Sequence, residues 1–251
     1  MSALKFFYRV KNFVQRPSSR YTVPKGDVQF PKSFDDTCAI EISPISKKAL
    51  LQGNLKLRIL QHGGRKVISG ANIKISALRG SITIYIGGDN ARVSIGRVSG
   101  AYDIRMWRSS SIVIGDNTTC NGARFMCDQS SIKVGEDCMF SDSIILQAAD
   151  QHGIVDLESK KIVNNSHKSI SLGDHVWVGR SASLLYGAEI GSGAIIGLGA
   201  IVNSRFPKNC LLVGVPAKAV KTDVTWCMSQ TVLDSYATAA ISEHHARAEA
   251  R

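Results

Sequence analysis

The sequence predicts an all-β protein in which extended chain winds into a three-sided parallel β-helix, and three observations carry that prediction. An aliphatic residue stands at every sixth position from Leu172 to Val202 without a miss: Leu172, Val178, Leu184, Ile190, Ile196 and Val202. Glycine follows directly at Gly173, Gly179, Gly191 and Gly197, and a small or branched residue stands two places before each later aliphatic (Val176, Ala182, Ala188, Ala194, Ala200). The same signature recurs upstream, as S-S-I-V-I-G (Ser110 to Gly115) and S-S-I-K-V-G (Ser130 to Gly135). Fixed self-similarity of this kind marks a solenoid.

The physics follows from the geometry of extended chain. Residues two apart point to the same side, so each small residue and the aliphatic after it face inward together. Glycine after the aliphatic suits a bend, because it adopts backbone angles that other residues resist. Six-residue sides closed by bends make a triangular coil of 18 residues, which stacks Leu172 under Ile190, Val178 under Ile196 and Leu184 under Val202. A helix needs a period near 3.6, and a hairpin sheet has no reason to keep six.

The chain divides into three parts on this reading. Residues 1–48 form an N-terminal extension, helix then irregular. Leu4, Phe7, Val10 and Val14 recur at helical spacing among Lys5, Arg9, Lys11 and Arg16, and residues 21–48 contain prolines. The helix fits packing on the prism or on a neighbouring subunit, or weak association with a membrane surface. Residues 49–220 form the β-helix, with alternation starting at Leu55, Leu57 and Ile59 and continuing through Ile73/Ile75, I-Y-I-G (Ile84 to Gly87) and V-S-I-G (Val93 to Gly96). From Val134 to Leu172 is 38 positions, one coil plus about twenty, and stacked coils cannot absorb that surplus. Residues 147–168 are therefore expected to leave the prism as a loop, and long excursions from rigid scaffolds often carry function. Residues 221–251 form a helical C-terminal extension with a polar end.

Composition excludes several classes. The chain has 251 residues, 44% of them hydrophobic and 20% charged, and no apolar run long enough to cross a bilayer. Lys5, Arg9 and Lys11 interrupt what would be the core of a signal peptide, so a cytoplasmic location is expected. The six cysteines form no C-x-x-C pair and read as reduced, mostly buried thiols, with no metal site expected. A formal net charge of +11 attracts phosphates or other anions without choosing among them. Only 7% of residues are aromatic and no nucleic-acid signature stands out, so nucleic acid is not an expected partner.

The run from Ser110 to Val220 resembles the hexapeptide-repeat acyltransferases, and in particular the branch that O-acetylates capsular, lipopolysaccharide or sialic-acid saccharides. D-Q-H-G-I-V-D (Asp150 to Asp156) resembles the catalytic loop of that family. I-S-L-G-D-H-V-W-V-G (Ile170 to Gly179) resembles its tryptophan-bearing coil, and G-V-P-A-K (Gly214 to Lys218) its closing turn. N-S-R-F-P-K-N (Asn203 to Asn209) resembles the segment before that turn. Gly153 departs from the pattern, since the saccharide branch often has proline there. The resemblance implies a left-handed coil, acetyl-CoA as co-substrate, a saccharide acceptor, and a homotrimer with active sites between neighbouring prisms.

Acetyl transfer from a thioester to a hydroxyl requires a base for the attacking hydroxyl, donors for the oxyanion and a site that holds both substrates. His152 is the candidate base, with Asp150 or Asp156 to orient its ring; a solvated loop histidine is the plain alternative. His175 is expected to point outward, and His62, His167, His244 and His245 to lie on the surface. Trp177, one place before an inward Val178, should stand on the outer face, where the resemblance implies that it lines the acetyl or acceptor pocket. Lys218, Arg205 and Lys208 could neutralise CoA phosphates, or be solvated. Ala182 and Ala200 lie on coils along which the family lays pantetheine, although packing explains their side chains. An N-acetyltransferase for an amino-sugar nucleotide, a serine acetyltransferase, a metal-dependent β-helix enzyme and a non-enzymatic scaffold are the competing readings.

Overall fold

The structure, a computed structural model, describes residues 8–10, 28–29, 33–64, 67–164 and 169–249. Its strands form three parallel ladders that run up the sides of a left-handed β-helix. The first face stacks Ala39–Ile42, Asn72–Ile75, Arg92–Ile95, Ser111–Ile114, Ser131–Val134, Ser169–Leu172, Glu189–Ile190 and Arg205–Phe206. In the lower coils one long strand serves both other faces, as in Ser99–Met106 and Thr119–Cys127. Higher up it divides into separate second-face and third-face strands: Met139–Phe140 and Ile144–Gln147, then Trp177–Val178 and Ser183–Leu185, then Ile195–Ile196 and Ile201–Val202. Leu172 pairs with Ile190, Val178 with Ile196 and Leu184 with Val202, the register expected from the six-residue spacing.

Packing explains the spacing. All six of those aliphatics are buried, and Val176, Ala182, Ala188, Ala194 and Ala200 have no exposure at all. Lower coils are longer, with Ile75, Ile95, Ile114 and Val134 stacked 20, 19 and 20 residues apart. There the interior is wide enough for Tyr102, Phe125 and Phe140 to lie in a column, their ring centroids 6.1 Å apart at each step. Cys38, Cys120, Cys127, Cys138 and Cys210 are buried, and burial pushes the Cys120, Cys127 and Cys138 thiols up to about 12.

Glycine after each aliphatic serves a different purpose from the one the sequence suggested. Gly173, Gly179, Gly191 and Gly197 are not in the left-handed region; that conformation falls two places later, at His175, Ser181, Gly193 and Gly199. What excludes a side chain at the first set is the next coil. A Cβ on Gly173 would lie 2.6 Å from the Ser192 nitrogen, and one on Gly191 would lie 2.3 Å from the Lys208 nitrogen. The corner pulls backbone onto backbone.

The two ends depart from expectation. The helix proposed for residues 1–20 falls outside the described residues except at Tyr8–Val10, which is a strand antiparallel to Ala39–Ile42. There the open edge of the first ladder offers backbone partners that override a helical pattern. The stack begins before residue 49, at Val28–Gln29, which pairs in parallel with Leu55–Gln61; Ala39–Ile42 then enters the first ladder, and a helix α1 (Pro44–Leu51) follows it. Ser43 caps α1 and Pro44 opens it, a start signal present in the sequence. At the other end Lys218–Thr222 is a strand antiparallel to Cys210–Val213, residues 223–234 are irregular, and helix α2 spans Ser235–Glu249.

The three outer surfaces differ in chemistry, as period-two alternation demands. The first face presents Glu41, Lys74, Ser94, Val113, Lys133, Ser171, Glu189 and Arg205, a mostly polar column. The upper second face presents Met139, Trp177, Ile195 and Leu211 in one column. The upper third face presents Ile145, Ser183 and Ile201, with Leu185 beside Gln147. One side of the prism is made for water and two are not.

Backbone contact between coils is testable at two glycines. Gly100 has φ +124°, and a Cβ there would meet the Cys120 carbonyl oxygen at 1.8 Å, whereas Gly199, at φ +67°, faces open space. Gly100→Ala is expected to destabilise by roughly 3 kcal/mol or more, and Gly199→Ala by about 1 kcal/mol. Thermal melting of both variants checks this, and equal losses would contradict it.

Candidate functional site

The surplus between Gln147 and Ser169 does leave the prism, at the corner between the third and first faces. It folds back on itself in a two-stranded ribbon, Val155–Asp156 against Lys161–Ile162. Ile154, Val155, Leu157, Ile162 and Val163 are all more than half exposed, Leu157 at 88%. The excursion thus leaves a cluster of aliphatic side chains exposed on this chain.

Asn164 pins the base of this loop. Its amide donates to Asp150 Oδ2 and to the His152 carbonyl, both at 2.9 Å, and its Oδ1 accepts from the Ile154 N–H at 2.8 Å. The backbone around His152 is thereby fixed, and the His152 side chain is exposed. Hydrogen bonds from the Ser159 side chain and from its N–H, the latter 2.6 Å from Oδ1, hold the Asp156 carboxylate below the usual carboxylate range. Asp156 thus shapes the ribbon's turn, and Asp150 is the acid joined to the His152 segment through Asn164. Sequence reasoning missed Asn164, since an amide in a polar insertion carries no positional signal.

Trp177 stands outward on the second face, 37% exposed, between Met139 below and Ile195 above. Ala182 and Ala200 point into the prism and are fully buried, so only their backbone can meet a ligand. Arg205 pairs with Glu189 at 2.9 Å, and Lys208 pairs with Glu243 of α2 at 2.5 Å. Lys218 is exposed at the top of the second face. The loop and Trp177 therefore occupy the same level of the prism but different sides of it. One chain alone does not bring them together.

His175 corrects the sequence reading. It is 5% exposed and lies between two aromatic rings, Trp226 at 4.1 Å and Tyr236 at 3.9 Å, both nearly parallel to it. Its Nε2 donates to the Trp226 carbonyl (2.9 Å), and the Trp226 indole N–H donates to the His175 carbonyl (2.8 Å). The irregular strap between Lys218–Thr222 and α2 is thus stitched down the corner between the first and second faces, and Trp226 comes within 6.2 Å of Trp177. Alternation alone pointed the ring outward; it did, and a distant segment then covered it. His152 and His175 sit at different corners and His167 lies outside the described residues. Among the described residues no group of three or more His, Cys, Asp or Glu side chains could hold a metal ion.

No family profile matches the chain. It is 35% identical over 125 residues to a polysialic acid O-acetyltransferase of Escherichia coli O1:K1, covering 49% of this chain and 40% of that one. It is 27% identical over 112 residues to the galactoside O-acetyltransferase of Escherichia coli K12, covering 45% and 54%. The chain spans about half the length of these curated relatives. Among solved structures, that of the polysialic acid-specific acetyltransferase NeuO superposes with a TM-score of 0.59 at 25% identity, over 77% of this chain and all of that one. That of the polysialic acid O-acetyltransferase OatWY superposes at 0.56 and 19% identity, over 86% and 94%. In sequence and in fold, the resemblance is to hexapeptide-repeat saccharide O-acetyltransferases.

The stacked rings give the strap a measurable strength. His175→Asn keeps a residue that tolerates the left-handed φ of 54° but removes both stacking contacts, worth about 0.5–1.5 kcal/mol each. Limited proteolysis within residues 227–234 should accelerate about tenfold while the melting of the coils changes little. An unchanged cleavage rate would show that the strap is held by other means.

Proposed function

We propose that this chain is an acetyl-CoA-dependent O-acetyltransferase that acylates a saccharide hydroxyl, with each active site shared by two prisms of a homotrimer. The observation that carries the proposal is the placement of the loop and Trp177 at one level on two apolar sides. A ring of three copies packs the third face of each prism against the second face of the next, a heterologous contact that closes. Rotation about the ring axis involves no translation, so the loop leaving the outer edge of one third face meets the outer edge of the neighbouring second face at its own level. That edge carries Trp177. The same packing covers the exposed aliphatics of the loop and the apolar columns of both faces.

In this site His152 accepts the proton of the acceptor hydroxyl as that oxygen attacks the thioester carbonyl. The tetrahedral oxyanion collapses, the C–S bond breaks, and the imidazolium returns the proton to the departing thiolate. Asn164 and Asp150 position the His152 backbone so that the imidazole extends from a fixed base. The wall from Trp177 through Ile195 to Leu211 offers about 10 Å of apolar surface, two strand spacings, for the arm of the co-substrate. Exposed Lys218 lies at its upper end, suited to the phosphates; Arg205 and Lys208 already hold carboxylates, which leaves Lys218 as the basic group of the three to test first.

CoA at 100 times its Kd should raise stability by about 2.7 kcal/mol, read as an upward shift in melting temperature. His152→Ala should lower kcat by roughly 10²–10⁴ while leaving that shift intact. Trp177→Ala should also be impaired. Random mixed trimers of these two inactive variants should then recover about a quarter of wild-type activity, because some sites pair an intact His152 with an intact Trp177 from the next subunit. No recovery on mixing would place both residues in one protomer's site and refute the shared arrangement.

A further inference from the structure

A cleft of about 370 Å³ opens directly below Trp177, between the second face and the strap. Its back wall is Met139, which pairs with Trp177 in the ladder, and Thr119, one coil lower. Its outer wall is built by Trp226, Met228 and Tyr236, all from the C-terminal strap and the start of α2. Resting on the acetyltransferase reading above, we propose that this cleft receives the acceptor sugar, and that the ring it takes is uncharged.

Position argues for the acceptor. The co-substrate's apolar wall and Lys218 lie above Trp177, so what enters from below is the other reactant. The His152 loop departs from Gln147, in the same coil as Met139, so the neighbouring imidazole arrives at the level of the cleft's upper rim. The volume falls at the small end of the range for small-molecule sites, about 300–1,000 Å³, and suits one ring of a glycan whose remainder stays in solvent.

Chemistry argues for a neutral ring. Aromatic rings and thioethers present flat, polarisable surfaces to the C–H face of a pyranose. Asn117, Thr119, Asp137, Asp234 and Ser235 supply polar groups around the mouth for its hydroxyls. The charged groups that face the cleft are the carboxylates of Asp137 and Asp234. Asp234 Oδ1 is engaged by the Ala237 N–H at 2.8 Å, whereas Asp137 is exposed at the rim. The ring of His175 forms the floor and is occupied by its two stacking partners. Among the described residues that line the cleft none is lysine or arginine. In a chain with a net charge of +11, a mouth without cations selects against carboxylated sugars.

The test compares kcat/KM for a panel of neutral p-nitrophenyl hexopyranosides with that for oligosialic acid, using acetyl-CoA and the full-length trimer. The wild type should favour the best neutral glycoside at least tenfold, about 1.4 kcal/mol. Asp137→Lys should shrink that ratio at least tenfold, and Met228→Trp, which fills the mouth, should raise KM for every acceptor. Neither should alter KM for acetyl-CoA or the thermal shift produced by CoA. Preference of the wild type for oligosialic acid, or an unchanged ratio in Asp137→Lys, would overturn the proposal. Saturation-transfer NMR with the neutral glycosides alone reads the cleft independently of catalysis. Signals abolished by Met228→Trp support it even if CoA fails to bind, a result that would remove the acetyltransferase reading instead, and signals indifferent to that substitution sink it.

Discussion

Everything in this molecule depends on the contact between one coil's backbone and the next. Parallel ladders on three sides leave no room at the corners for a Cβ on Gly173, Gly179 or Gly191, and so they hold the coils at a fixed spacing. Once that spacing is fixed, inward side chains form columns with no freedom to exchange places, and outward ones form columns with a constant neighbour above and below. Each face then acquires a chemical character over its whole height. Any length beyond one coil has nowhere to go but out.

The site follows from that rigidity. A loop that cannot be absorbed appears at a defined corner and level, and Asn164 ties its outgoing and returning legs together through three hydrogen bonds. Trp177 owes its position to the same ladder, because alternation with the buried Val178 leaves it no inward option. The polar first face suits water, whereas the two upper faces, richer in exposed apolar side chains, suit the neighbouring prisms that the proposed trimer would bring. A single prism thus carries the His152 loop and Trp177 on different flanks, which is why the proposed site needs two copies.

Most of the architecture was legible because a period of six is a property of the chain itself. The ladder partners of Leu172, Val178 and Leu184, the outward Trp177 and the extruded loop could all be read by counting. What counting missed involved partners far apart in sequence. The covering of His175 by Trp226 and Tyr236 joins residues about fifty to sixty positions apart through an irregular strap with no period of its own. The role of corner glycines was misassigned because backbone angles can be inferred locally, whereas the approach of a neighbouring coil cannot. The strand at Tyr8–Val10 replaced part of an expected helix for a similar reason, since an open ladder edge lies outside the segment that it recruits.

The stitched strap has a consequence for biogenesis. Ladders of coils are complete in themselves and can form in chain order as each turn leaves the ribosome. The outer wall beside Trp177, however, is contributed by residues 226–236, translated after the last coil. A nascent prism is therefore already rigid while its mouth still gapes, and the pocket acquires its final shape only as the tail is laid down along the corner.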